Sequence, residues 1–104
     1  MIKEWNEQEL LAHAKWAAHP FAVFLYTPLC GTCKLAERML DIILTMEPDL
    51  PIYKSNVNFL PRVVQDWQIS SIPCIVILKA GPAKKIYSMK SVDDLYRELK
   101  PLMF

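Results

Sequence analysis

Two cysteines separated by two residues, Cys30 and Cys33, join stretches of opposite character. Before them, Phe21-Ala22-Val23-Phe24-Leu25-Tyr26 is an unbroken apolar run of strand length, rich in aromatic and β-branched side chains. After them, Lys34 to Leu44 carries apolar residues at 35, 36, 39, 40, 42, 43 and 44, a broad helical stripe that starts at or near Cys33. A strand apolar on both faces belongs in the middle of a sheet covered on both sides. Two thiols at this spacing, between such a strand and such a helix, fit two chemistries. They can close a small reversible disulfide, or they can supply half of a metal site. The rest of the chain has to discriminate.

Its 104 residues predict a single domain spanning 1–104, large enough to bury a core without disulfide staples. Apolar residues make up 53% and charged residues 22%, the profile of a globular protein. The net charge of +1, with both signs scattered, lacks the basic block expected of a nucleic-acid binder. Charged residues or prolines interrupt every apolar run, so no membrane span is expected, and the polar N-terminus does not read as a signal peptide. An odd count of three cysteines fits reactive thiols in a reducing compartment better than structural disulfides. The expected location is the cytoplasm.

Taken in order, Ile2-Lys3-Glu4 reads as a short edge strand. Asn6 and Glu9 read as a capping box, stapled by Trp5 and Leu10, on a helix whose apolar face is Leu10, Leu11, Ala14 and Ala18 and which His19-Pro20 stops. Ile52 to Val57 is a second strand, parallel to the first because a long helix joins them. Leu60 to Trp67 is a short helix with Pro61 in its first turn and Asn58 as a possible cap. Cys74 to Lys79 is a strand, Ala80-Gly81-Pro82 a hairpin turn, and Lys85 to Met89 a half-exposed antiparallel strand. Ser91 caps a last helix that buries Val92, Leu95, Tyr96, Leu99 and Leu102.

This order of elements resembles the thioredoxin family across essentially the whole chain. Cys30-Gly31-Thr32-Cys33-Lys34 is similar to the family's Cys-Gly-Pro-Cys-Lys, Lys54-Ser55-Asn56-Val57-Asn58 to its Lys-x-Asn-x-Asp, and Ile69-Ser70-Ser71-Ile72-Pro73 to its Ile-x-(Gly/Ser)-Ile-Pro. The resemblance implies an α/β thioredoxin fold, a central mixed sheet of four to five strands flanked by four helices, with a cis Ile72–Pro73 bond beside the dithiol. It also implies a thiol–disulfide oxidoreductase, acting as a protein-disulfide reductase without metal or organic cofactor. Disulfide-containing proteins would be its substrates, and a thioredoxin reductase or another dithiol donor its source of electrons. The chain departs from the family at Leu29 (usually Trp), Thr32 (Pro), Phe24 (a buried Asp), Arg38 (a Pro that kinks the helix), Ser88 (Gly) and Cys74 (Thr or another small residue). Such departures suggest a divergent thioredoxin-like protein.

Within that frame Cys30, just before a helix start, is expected to be the nucleophile, because unpaired N–H groups and the helix dipole favour its thiolate. Cys33, one turn in and facing the sheet, is expected to resolve the mixed disulfide. Gly31, Thr32, Ile72 and Pro73 are expected to position the substrate. Phe24 cannot relay the proton that Cys33 must lose, so either water or Lys54 assists or resolution is slower in this chain; the bland alternative for Lys54 is a solvated strand-end charge. Cys74 reads as a buried strand residue, as a third thiol able to form an alternative disulfide or a glutathione adduct, or as a third ligand of a metal or iron–sulfur site completed by a second subunit. Strand alternation points it away from Cys30 if Pro73 faces the dithiol. His13 and His19 read as surface residues remote from the site, and Trp67 either borders the substrate groove or packs in the core. Two other functions stay open: a redox-sensing binding module built on the same fold, and a metal or cluster carrier using Cys30, Cys33 and Cys74.

Overall fold

The apolar run at 21–26 has no polar face to offer water, and it becomes strand β2 (Phe21–Tyr26) at the centre of a five-stranded sheet. The computed structural model describes residues 2–16, 18–79 and 82–103. The other strands are β1 (Lys3–Glu4), β3 (Ile52–Asn56), β4 (Cys74–Leu78) and β5 (Lys84–Ile86), and the spatial order is β1-β3-β2-β4-β5. β1 and β2 both pair with β3 in parallel, whereas β4 pairs antiparallel with β2 and with β5. The helices are α1 (Glu7–Trp16), α2 (Gly31–Met46), α3 (Pro61–Asp66) and α4 (Val92–Leu99), with single 3-10 stretches at Val57–Phe59 and Lys100–Met103.

Alternation along β2 divides the core in two. Ala22 and Phe24 face the layer of α2 and α4, where they meet Cys33, Ala36, Leu40, Ile43, Leu95 and Leu99. Phe21, Val23 and Leu25 face α1 and α3, where they meet Leu10, Val63, Cys74 and Val76. The α1 capping box forms as expected: Asn6 N–H donates to Glu9 Oε1 at 3.0 Å, and Glu9 N–H to Asn6 Oδ1 at 2.8 Å. Trp5 and Leu10 are buried in one cluster, as a staple requires. Ser91 caps α4 by accepting from Asp94 N–H at 3.1 Å. The buried Ser55 hydroxyl donates to Trp5 O at 2.8 Å, which ties the chain between β1 and α1 to β3.

Several boundaries differ from the sequence reading. α2 starts at Gly31 rather than near Cys33, because Cys30 itself caps it. Leu35 and Ile42 are exposed, so the buried stripe of α2 is narrower than the apolar pattern. The helix continues through Arg38, which keeps the N–H that a proline would lack. Ala18 lies beyond α1 and is exposed rather than on its buried face. Asn58 is not the cap of α3. Asn56 caps the preceding 3-10 turn, and Glu7 Oε2 reaches across from α1 to accept from Arg62 N–H (2.8 Å) and Val63 N–H (3.0 Å). β5 ends at Ile86, short of Met89. The first two residues of the expected 80–82 turn lie outside the described residues.

Candidate active site

β2 delivers the chain to the C-terminal edge of the sheet, and the turn Thr27-Pro28-Leu29 reverses it into α2. Cys30 N–H closes that turn on Thr27 O at 3.3 Å. Cys30 stays extended (φ −95°, ψ 112°) while its carbonyl accepts from Lys34 N–H at 3.2 Å, which defines a helix N-cap. Its sulfur takes the role that a Ser or Asp oxygen has at other caps. It accepts from Cys33 N–H at 3.1 Å and lies 3.3 Å from Thr32 Oγ1. Thr32 therefore contacts the sulfur through its hydroxyl. At Gly31 a Cβ would project into open space, so nothing in this chain's own packing demands glycine there.

Cys30 and Cys33 are joined in a disulfide, their Cα atoms 5.1 Å apart. The two sulfurs differ in environment. Cys30 is half-buried beside the almost fully exposed Leu29, whereas Cys33 is only 2% exposed, under the α2/α4 layer. The Ile72–Pro73 peptide bond is cis. Ile72 packs against the same cluster as Cys30 and Cys33, and Pro73 immediately precedes β4, whose first residue, Cys74, pairs with Leu25 near the C-terminal end of β2. Cys30, Gly31, Thr32, Cys33, Ile72 and Pro73 thus share one end of the sheet.

One row of residues across the sheet runs Glu4, Lys54, Phe24, Ile75 in register, on the face that α2 covers. Phe24 is fully buried and stacks on Tyr26, ring centroids 5.9 Å apart. Lys54 is not a solvated strand-end charge: its Nζ donates to Glu37 Oε2 at 3.0 Å and lies 5.4 Å from the Tyr26 ring centroid. Tyr26 in turn donates its hydroxyl to Glu4 Oε2 at 2.6 Å. Burial, helped by that carboxylate partner, pushes the Tyr26 phenol well above its ordinary range, so it stays protonated. Sequence reasoning singled out Lys54 but missed Glu37, Tyr26 and Glu4. The available signal was the i,i+4 spacing from Cys33 to Glu37, which places a carboxylate one turn along the same helix face.

Cys74 stays outside the site. It is fully buried on the opposite face of the sheet, among Leu10, Val63 and Val76, and burial pushes its thiol up. One chain therefore does not bring Cys30, Cys33 and Cys74 together, which removes the geometric basis of a three-thiol centre. Trp67 packs against that same α1/α3 cluster. His13 stacks on Trp5 (centroids 3.9 Å apart) and donates from Nδ1 to Glu9 O, and His19 is exposed; neither belongs to an element that carries the dithiol.

The family model described as Thioredoxin matches residues 2–100. The chain is 41% identical over 100 residues to the thioredoxin-like protein YusE of Bacillus subtilis (strain 168), covering 95% of this chain and 92% of that protein. The chain belongs to the thioredoxin family. It is also 33% identical over 86 residues to thioredoxin of Mycobacterium tuberculosis (strain H37Rv), covering 81% and 74% of the two chains. The fold matches a crystal structure of chloroplastic thioredoxin z with a TM-score of 0.78 at 20% identity, over 98% of this chain and 94% of the other. A cysteine pair at disulfide distance in the C-x-x-C position of this family makes the chain a thiol–disulfide oxidoreductase. Among the described residues of this thioredoxin relative, no helix is long and apolar enough to cross a membrane.

Proposed function

We propose that this protein is a protein-disulfide reductase in which Cys30 attacks the substrate disulfide and Cys33 resolves the mixed disulfide. The observation that carries the assignment is the asymmetry of the pair: Cys30 lies at the helix N-terminus beside exposed Leu29, its sulfur facing Cys33 N–H, while Cys33 is buried. That N–H and the helix dipole stabilise a Cys30 thiolate, the form that attacks. Attack joins Cys30 to one substrate sulfur and releases the other as a thiolate. Cys33, once deprotonated, attacks Cys30, expels the second substrate thiol and restores the Cys30–Cys33 disulfide. Thr32, through its contact with the sulfur, tunes the couple. Gly31, Ile72 and Pro73 shape the surface on which the substrate chain lies. Lys54 assists the proton loss from Cys33.

Each turnover leaves the dithiol oxidised, so two electrons must be returned by a dithiol donor such as a thioredoxin reductase. A buried, unpaired Cys74 supports work in a reducing compartment, the cytoplasm. Residues 1–104 act as one domain in this reading. Reduction of insulin disulfides with dithiothreitol as electron source tests it. The wild-type protein is expected to accelerate precipitation of the insulin chains, and Cys30→Ser to abolish the acceleration. An equal rate in that variant overturns the assignment.

A further inference from the structure

Resolution of the mixed disulfide requires a proton to leave a thiol that is 2% exposed and whose neighbours on the sheet, Phe24 and Ile75, are fully buried and apolar. Water reaches such a thiol poorly, and an apolar surrounding disfavours its thiolate. Glu37 lies four residues after Cys33 on α2, so their Cβ atoms share one helix face at about 5–6 Å. Helical side chains lean toward the N-terminus, which tilts the Glu37 carboxylate back over the turn that holds Cys33. Lys54 pins that carboxylate by one oxygen, Oε2, at 3.0 Å. Its other oxygen, Oε1, has no hydrogen-bond partner among the described residues.

We infer that Glu37 is the proton acceptor for Cys33 in the resolving step, with Lys54 as the residue that positions it. The inference rests on the oxidoreductase reading above. The proton passes from Cys33 Sγ to Glu37 Oε1, directly or through one water. The Cys33 thiolate then attacks Cys30 Sγ, the Cys30–substrate bond breaks, and the departing substrate thiolate is reprotonated from Glu37 or solvent. Two electrons move from the dithiol to the substrate disulfide, and no further reactant is needed. Charge is conserved locally: before transfer Lys54 faces a carboxylate, and afterwards the neutral Glu37 leaves the ammonium to balance the new thiolate. The ionisable groups that face Glu37 are Lys54 from β3 and Tyr26 from β2, the latter held by Glu4 of β1. On its own helix Lys34 and Asp41 stand a turn away and are exposed.

A symmetric nitrobenzoate disulfide separates the two steps, because the first aryl thiolate is released when Cys30 attacks and the second when Cys33 resolves. In stopped-flow at pH 7, Glu37→Gln is expected to slow the second release on the order of 100-fold, the usual contribution of a positioned acid–base group. Its second phase should rise about tenfold per pH unit from about pH 6 to pH 8, following thiol ionisation, while the wild-type phase stays nearly flat. Glu37→Asp, which keeps a carboxylate, should retain the flat profile at a reduced rate, and Lys54→Met should slow the second phase more than the first. A wild-type second phase in Glu37→Gln overturns the inference. So does a slowing of both phases by one factor with an unchanged pH profile, the mark of a structural role, and Glu37→Asp covers the case in which the Gln variant folds poorly. A wild-type protein that releases no first thiolate would instead sink the assignment of Cys30, and the role of Glu37 with it.

Discussion

The three cysteines of this chain sit in three environments, and their reactivities should separate accordingly. Cys30 receives an N–H from Cys33 at a helix start, so in the reduced protein it should alkylate with iodoacetamide well below the ~8.5 of an ordinary thiol. Cys74 is fully enclosed and its thiol is pushed up by burial, so it should stay unmodified until the protein is denatured. Mass spectrometry of the alkylated peptides at several pH values checks both. An unshifted rate at Cys30, or Cys74 labelled in the native state, would contradict the geometry. The orientation of Cys74 was legible in the sequence because strand residues alternate and its neighbour Pro73 precedes it. The partner of Lys54 was not, because Glu37 is 17 positions away and meets it only when α2 packs on β3.

At the scale of elements, features made by residues within one turn are legible in the sequence. The capping box of α1 and the Ser91 cap of α4 use residues within one turn, and both form. α3 is different. With six residues and Leu60 at its N-cap it has no side-chain cap of its own, and Glu7 of α1 supplies one from 55 positions away. No sequence pattern reveals such a cap. Replacing Glu7 by Ala is expected to lower stability by about 1–2 kcal/mol, the upper part of the range for a lost N-cap. Urea denaturation checks it, with a lower midpoint and an unchanged slope. No change in midpoint would show that the α3 N–H groups are satisfied otherwise. The buried stripe of α2 is narrower than its apolar pattern for a related reason. Periodicity marks Leu35 and Ile42 as candidates for burial, but only packing decides which flank of a helix meets the sheet.

Across the whole molecule, β2 is the axis from which the rest follows. Its continuous apolarity forecast a central strand covered on both faces, and its two sets of side chains seed the two halves of the core. Phe24 joins fold and site, since it fills the space beneath Cys33 where the wider family is expected to carry a carboxylate. Phe24→Ala should cost about 3–5 kcal/mol, as other large core truncations do. Thermal or chemical unfolding reads that loss, and a cost below about 1 kcal/mol would show that the core collapses around the gap. The central claim, an outward attacking thiol and a buried resolving one, is tested most directly by trapping. Reduced Cys33→Ser and Cys30→Ser are each mixed with insulin, and adducts are mapped by non-reducing peptide mass spectrometry. Cys33→Ser is expected to hold a stable disulfide from Cys30 to an insulin cysteine, and Cys30→Ser to hold none. Equal adducts in both variants, or one linked through Cys74, would contradict it.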